Sequence, residues 1–254
     1  MSKAKTAPIT LDMLQNLVKR DPAGYEDEVS RRLRHFQALL SILEESPSTD
    51  THEFVPLLGF ISHVSPCYPK LASGVPNQLG ELLDAQHDAL DPTVRRALLQ
   101  ALVLLRNRGM VPALELLQRC FRLLRCRDKI MRSRLYSHIV ADVKAVNLKH
   151  RDEKLNRTLQ NFIIGMIDEP SKIAAKYSLR VMVELYRRNV WRDAKTVNVV
   201  AGALFCPHTK LRVTALHFLL GAHDDVAEDS DDEETNDKVA SLRGAVARDG
   251  VSNK

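Results

Sequence analysis

An all-α array of helical hairpins followed by an acidic tail is the fold this sequence predicts, and three observations carry the prediction. Residues 98–128 and 178–208 share one apolar and basic pattern displaced by eighty positions. Leu99, Val103, Leu105, Arg108, Met110, Leu124 and Cys126 fall on Leu179, Val183, Leu185, Arg188, Val190, Leu204 and Cys206. Each copy reads as an amphipathic helix, a short basic turn and a second amphipathic helix. That displacement fits two units of about 40 residues, the period of HEAT and armadillo arrays. The second observation is composition: 44% hydrophobic residues but only 5% aromatic, with 10 glycines in a chain rich in Leu, Ala and Arg. Straight-chain side chains lose little rotamer freedom in helices, so this usage favours them. The third is the lack of period-two alternation. The one tempting run, Val197-Asn198-Val199-Val200, sits among helical signals and reads as helix. An α-solenoid of this kind makes long surfaces for holding other macromolecules and seldom encloses a catalytic pocket.

The elements follow in order. Residues 1–10 read as unstructured and 11–223 as the helical-repeat domain. Leu11, Leu14, Leu17 and Val18 form a short helical stripe. Asp21-Pro22 reads as a helix start, with Asp accepting orphan amides and Pro pre-setting the first turn. That helix runs to about Glu45 with Val29, Leu33, Phe36, Leu40 and Leu43 inward. Ser46-Pro47-Ser48-Thr49 breaks it. A helix over His52–His63, an irregular connector over Ser65–Pro69 and a short helix over Gly74–Asp84 follow. Asp91-Pro92 repeats the start signal ahead of a stripe of Leu98, Leu102 and Leu105, and Asn107-Arg108-Gly109 ends that helix. Pro112 opens the next, with Leu114, Leu117, Phe121 and Leu124 on one face. Further helices fall at 128–147, 151–168, 171–188, 193–205 and 208–221. Together they make about ten, mostly two to five residues apart, the usual connection between antiparallel helices. Residues 224–254 lack apolar periodicity and read as a disordered acidic tail, with a frayed helix near Lys238–Val246.

Charge divides the chain. The formal net charge is +5, yet nine acids lie between Asp224 and Asp237. Before residue 224 stand 33 of the 37 Lys and Arg against 22 of the 32 Asp and Glu, a net of +11. A basic body with an acidic tail points to a polyanionic partner, with RNA first in line. Arginine's planar fork matches phosphate bidentately, and a neighbouring aromatic can stack an unpaired base. The candidate RNA or partner contacts are Arg122, Arg125, Arg127, Lys129, Arg132 and Arg134, and then Arg187, Arg188, Trp191 and Arg192. Arg31, Arg32 and Arg34 form a smaller cluster. Ser230, set in an acidic run, is a candidate phosphorylation site.

Other chemistries find no support in the sequence. There is no G-x-S-x-G, no phosphate-binding G-x-x-x-x-G-K-[ST], no G-x-G-x-x-G and no H-E-x-x-H. Cys67, Cys120, Cys126 and Cys206 form no C-x-x-C pair and read as buried free thiols in a reducing compartment. The expectation is therefore no catalytic residue, no metal, no cofactor and no small-molecule substrate. No apolar run reaches membrane-spanning length, and MSKAKTAPIT lacks the apolar core of a secretory signal, so no membrane partner is expected.

Several ordered strings carry a family resemblance. They are Leu14–Pro22, Leu90-Asp91-Pro92 with Leu104-Leu105-Arg106-Asn107, Leu123–Lys129, Leu135–Asp142, Leu159–Phe162 and the longest, Glu184–Val199. Together, from about residue 14 to 221 and into the acidic stretch beyond, they closely resemble the amino-terminal region of the eukaryotic SDA family, named for severe depolymerisation of actin. The resemblance implies a non-catalytic nucleolar and nuclear factor for assembly and export of the large (60S) ribosomal subunit. Its implied partner is the pre-60S particle, both ribosomal RNA and assembly-factor proteins. A nuclear transport adaptor and an actin-regulating interaction protein are the alternatives. Members of that family continue past the acidic tract with a lysine-rich segment and a further helical domain, whereas this sequence stops at Lys254.

Overall fold

The computed structural model describes residues 10–48, 51–148, 152–167 and 171–221, and eleven α-helices lie among them. They are α1 (Leu11–Arg20), α2 (Glu26–Glu45), α3 (Phe54–Val64), α4 (Val75–Gln86), α5 (Pro92–Asn107), α6 (Ala113–Leu123), α7 (Lys129–Asn147), α8 (Glu153–Ile167), α9 (Lys172–Arg187), α10 (Ala194–Gly202) and α11 (Thr209–Leu219). No strand occurs among the described residues. The segments expected to be unstructured, 1–9 of the N-terminal stretch and the acidic tail with its frayed helix, lie outside the described residues.

The helices form two layers. The odd-numbered ones stack in sequence, α1 on α3, α3 on α5 and on to α11. Each even-numbered helix packs on the odd-numbered helix that follows it, and α4, α6 and α8 touch one another in turn. This is the layout of a helical-hairpin solenoid. Its turns therefore alternate between two edges. Those leaving odd-numbered helices (21–25, 65–74, 108–112, 188–193) form a first edge, and those leaving even-numbered ones (46–48 with 51–53, 87–91, 124–128, 203–208) form a second. Contacts agree: Tyr68 Oη donates to the Pro22 carbonyl at 2.6 Å on the first edge, and Gln86 Nε2 donates to the Glu44 carbonyl at 2.6 Å on the second.

Local chemistry explains the boundaries. Asp91 accepts from the Thr93 amide at 2.7 Å and Asp128 from the Met131 amide at 3.0 Å, while Ser171 and Asp193 cap α9 and α10 in the same way. Helices α5 and α9 begin and end eighty residues apart, as the repeat requires. Their C-termini close identically. The Met110 amide bonds to the Leu105 carbonyl and the Gly109 amide to that of Arg106, both at 3.0 Å. Val190 bonds Leu185 at 2.9 Å and Asn189 bonds Tyr186 at 3.0 Å. These are Schellman caps, which need a left-handed residue just past the helix, and Gly109 (φ 78°) and Asn189 (φ 61°) supply it.

One start signal resolves differently from its reading. Asp21-Pro22 does not open α2, which begins at Glu26. Asp21 Oδ1 instead accepts from the Gly24 amide at 3.1 Å and closes a single 3₁₀ turn over Ala23–Tyr25. A Cβ at Gly24 would meet the Asp21 carboxylate at 2.3 Å, so a larger residue there would have to push that capping side chain aside.

One core runs the length of the stack, from Leu14 to Ala215. All five inward positions read for α2 are buried, as are Leu98, Leu102 and Leu105 of α5; Leu114 is only half-buried. Where the described stack ends, Phe205 and Leu220 stand 90% and 78% exposed.

Candidate nucleic-acid interface

The two arginine groups singled out in the sequence lie on different parts of the stack. Arg122, Arg125, Arg127 and Lys129 surround the α6–α7 turn on the second edge, whereas Arg187, Arg188 and Arg192 surround the α9–α10 turn on the first. They do not form one continuous surface. Two hairpins place the same kind of turn on the same edge, but the α6–α7 connection is a turn of the other kind.

Within the second-edge group, Arg122 and Arg125 contact other parts of the stack. Arg122 Nη2 lies 3.5 Å from Asp84 Oδ2, an oxygen that Arg119 Nη1 already holds at 2.9 Å. The Arg125 guanidinium reaches Met166 Sδ at 3.9 Å. Arg127 and Lys129 are exposed. Arg134 is exposed on α7, beside a shallow groove shared with Arg96 and Gln100 of α5.

Arg132 is a correction: it is 2% exposed and cannot face a partner. Its Nη1 donates to the Cys126 carbonyl at 2.7 Å, and its guanidinium lies 5.7 Å from the Tyr177 ring centroid on α9. Arg95 behaves alike on α5, with Nη2 donating to the Leu90 carbonyl at 2.8 Å. Both stand four residues past a capping aspartate, Asp91 or Asp128. From there the side chain folds back over the preceding turn and satisfies its carbonyl. Sequence reasoning missed Arg95, and this shared offset was the available signal.

Asp128 joins α5 to α7. It accepts from Arg96 Nε at 2.8 Å and Nη2 at 3.0 Å, with Arg95 Nη1 at 3.9 Å. Burial raises its pKa, but the Arg96 hydrogen bonds, the Met131 amide and the two guanidinium charges outweigh this and hold it below the usual value. Further along, Arg106 grips Asp142 through two nitrogens at 3.1 and 3.2 Å.

Trp191 is the second correction. It is fully buried, and its Nε1 donates to Asn156 Oδ1 at 2.9 Å. Asn156 in turn exchanges side-chain hydrogen bonds with Asn147 at 2.7 and 3.0 Å. The indole thus fills the α9–α10 turn and locks it to the α7–α8 hairpin, and it is not available to stack a base.

Around that rigid plug, Arg188 and Arg192 are exposed and Arg187 is partly so. Arg188 Nε pairs with Glu184 Oε1 at 2.5 Å, one turn back on α9. The Arg192 guanidinium lies 5.6 Å from the Tyr186 ring centroid, and Tyr186 meets Phe218 edge-on at 4.9 Å. Arg108, the counterpart of Arg188 eighty residues earlier, is exposed on the same first edge. It too was missed, although the repeat pointed to it.

Catalytic geometry is not evident. Burial pushes the Cys120 thiol far above its ordinary pKa, the opposite of an activated nucleophile. Among the described residues no three His, Cys, Asp or Glu converge as metal ligands, and no helix is long and apolar enough to cross a membrane.

Two layers of antiparallel hairpins, with α5 and α9 closing alike eighty residues apart, define a HEAT-type α-solenoid. Comparison narrows the class: the family model described as "SDA1, HEAT repeat" matches residues 60–253, and the chain belongs to the SDA1 family. Protein SDA1 homolog of Dictyostelium discoideum is 43% identical over 238 residues, covering 94% of this chain and 31% of that protein. Its Xenopus laevis namesake is 44% identical over 218 residues, 86% of this chain and 32% of the relative. The Schizosaccharomyces pombe protein sda1 is 28% identical over 261 residues, 93% and 36%. The chain thus spans about a third of the length of these curated relatives.

Proposed function

We propose that this chain is a non-catalytic assembly and export factor for the large ribosomal subunit, acting in the nucleolus and nucleus. It holds pre-ribosomal RNA and proteins of the pre-60S particle. The observation that carries the RNA-binding part is the first-edge turn at α9–α10, where Arg187, Arg188 and Arg192 are displayed around the buried Trp191. A pre-ordered turn presents guanidinium groups to phosphates without further loss of backbone freedom. Contacts of this kind position a partner on the RNA backbone and read no base sequence. The SDA resemblance supplies the ribosomal setting.

The test is a triple charge reversal, Arg187→Glu, Arg188→Glu and Arg192→Glu. Crosslinking to precursor large-subunit RNA and co-sedimentation with pre-60S particles should both fall sharply. In vitro, the slope of log affinity against log salt should flatten by about 2, since each single-strand phosphate contact contributes about 0.7. Unchanged crosslinking and unchanged particle association refute the assignment.

A further inference from the structure

Helix α11 runs from the second edge to the first. The chain therefore leaves its last described turn, Leu219 to Gly221, beside the same arginines. The neighbourhood is direct: Phe218 packs on Tyr186, and Arg192 lies over that same ring. Three residues past Gly221 comes Asp224, the first of nine acids that end at Asp237. Three residues span at most about 10 Å, so the tether between Gly221 and the tract is short enough for the acids to reach the α9–α10 turn.

We propose that the α9–α10 turn is an acidic-peptide site whose occupant is the chain's own Asp224–Asp237 tract. Arg187, Arg188 and Arg192 take carboxylates through charge-assisted hydrogen bonds, the chemistry with which they would take phosphate. Charge complementarity and tether length both favour this occupant. A basic body of +11 faces nine acids held on a leash of a few residues, where effective concentrations reach the millimolar range. The tract then competes with RNA for the turn. This consequence rests on the RNA reading above, whereas the contact itself does not. Intramolecular competition screens out weakly held polyanions and yields to an RNA that makes additional contacts elsewhere on the stack. Phosphorylation of Ser230, in the middle of the tract, adds charge and shifts the balance further from RNA.

The experiment uses the full 254-residue chain with the nine acids changed to Asn or Gln, alone and combined with the Arg187, Arg188 and Arg192 reversal. Two probes are titrated: a labelled peptide of residues 222–238 and a 20-nucleotide single-stranded RNA. The peptide should bind the neutralised chain with a Kd in the millimolar range or below, and should lose that binding in the combined variant. The RNA should bind the neutralised chain roughly 2- to 10-fold more tightly than the unaltered one at low salt, as displacement of a tethered competitor requires. The difference should close as salt rises. No peptide binding, or peptide binding indifferent to the three arginines, overturns the proposal. Equal RNA affinity with and without the acids also overturns it and leaves the RNA reading intact. Peptide binding with no RNA binding upholds the contact and overturns the RNA reading instead.

Discussion

Asp128 is the carboxylate on which α5, the α6–α7 turn and α7 converge, and removing it should loosen the stack by an amount its contacts allow to be estimated. The side chain is 5% exposed and that of Arg95 is 8% exposed. Asp128→Asn retains a good cap for α7 but deletes the charge, whereas Asp128→Ala deletes both. Loss of an N-cap costs about 1 kcal/mol. Removing one member of a buried ion pair costs about 3–5 kcal/mol. Here the figure falls toward about 2 kcal/mol, because Arg96, the close partner, is 27% exposed and can be rehydrated, while Arg95 stands 3.9 Å away and keeps the Leu90 carbonyl at 2.8 Å. The expected losses are thus about 2 kcal/mol for Asp128→Asn and about 3 kcal/mol for Asp128→Ala. Urea unfolding measures both, followed by far-UV circular dichroism and by the fluorescence of Trp191, the chain's single tryptophan. The folded-state pKa of Asp128 is depressed, so its contribution is present above about pH 4 and disappears as pH falls through the folded value. Wild type and Asp128→Asn should therefore converge in acid. Losses under about 0.5 kcal/mol, or an alanine variant no weaker than the asparagine one, would refute the reasoning.

Other perturbations test other parts. Trp191→Phe should cost about 1 kcal/mol, since Asn156 Oδ1 keeps the Asn147 amide, whereas Trp191→Ala should cost about 4 kcal/mol; chemical denaturation followed by circular dichroism distinguishes them. Gly109→Ala should lower Tm by about 2–4 °C, the equivalent of about 1 kcal/mol, because alanine is strained at φ 78°. Asn189→Gly should leave Tm unchanged or slightly raised in the same assay, since glycine adopts a positive φ freely. His138 is half-buried, and burial pulls its pKa below 6.5, with the Asp142 charge opposing and Arg106 adding to the effect. Stability from keeping it neutral is full above pH 6.5 and declines as pH drops toward the folded value. His138→Gln should flatten that decline in a pH series of urea midpoints.

The eighty-residue repeat was legible because it is written in local chemistry. Apolar spacing and a left-handed residue after the helix both act within a few positions of the chain. The run Val197–Val200 read correctly as part of a helix for the same reason: it follows the cap Asp193. The position of Glu26 as the true start of α2 was harder. Asp21-Pro22 satisfies the rules for a helix start and does cap a first turn, but that turn is 3₁₀ over Ala23–Tyr25 before the α-helix proper begins. The interface was the least legible part. A basic cluster in sequence says nothing about which side of a stack it reaches, and Arg132 and Trp191 show the error in both directions of polarity. The arginine turned inward because a carbonyl awaited it, and the aromatic turned inward because a hole did. Alternation of turns between edges would have separated the two groups in advance, since the connections after α6 and α9 differ in parity.

The matched bounds and caps of α5 and α9 have a practical consequence for modular engineering. Excising residues 108–187 would splice Asn107 directly to Arg188, joining one helix to its twin's outgoing turn at an equivalent backbone position. The molecule can in principle be shortened by one such block, or lengthened by duplicating it, with the seam hidden inside a junction that both copies already build.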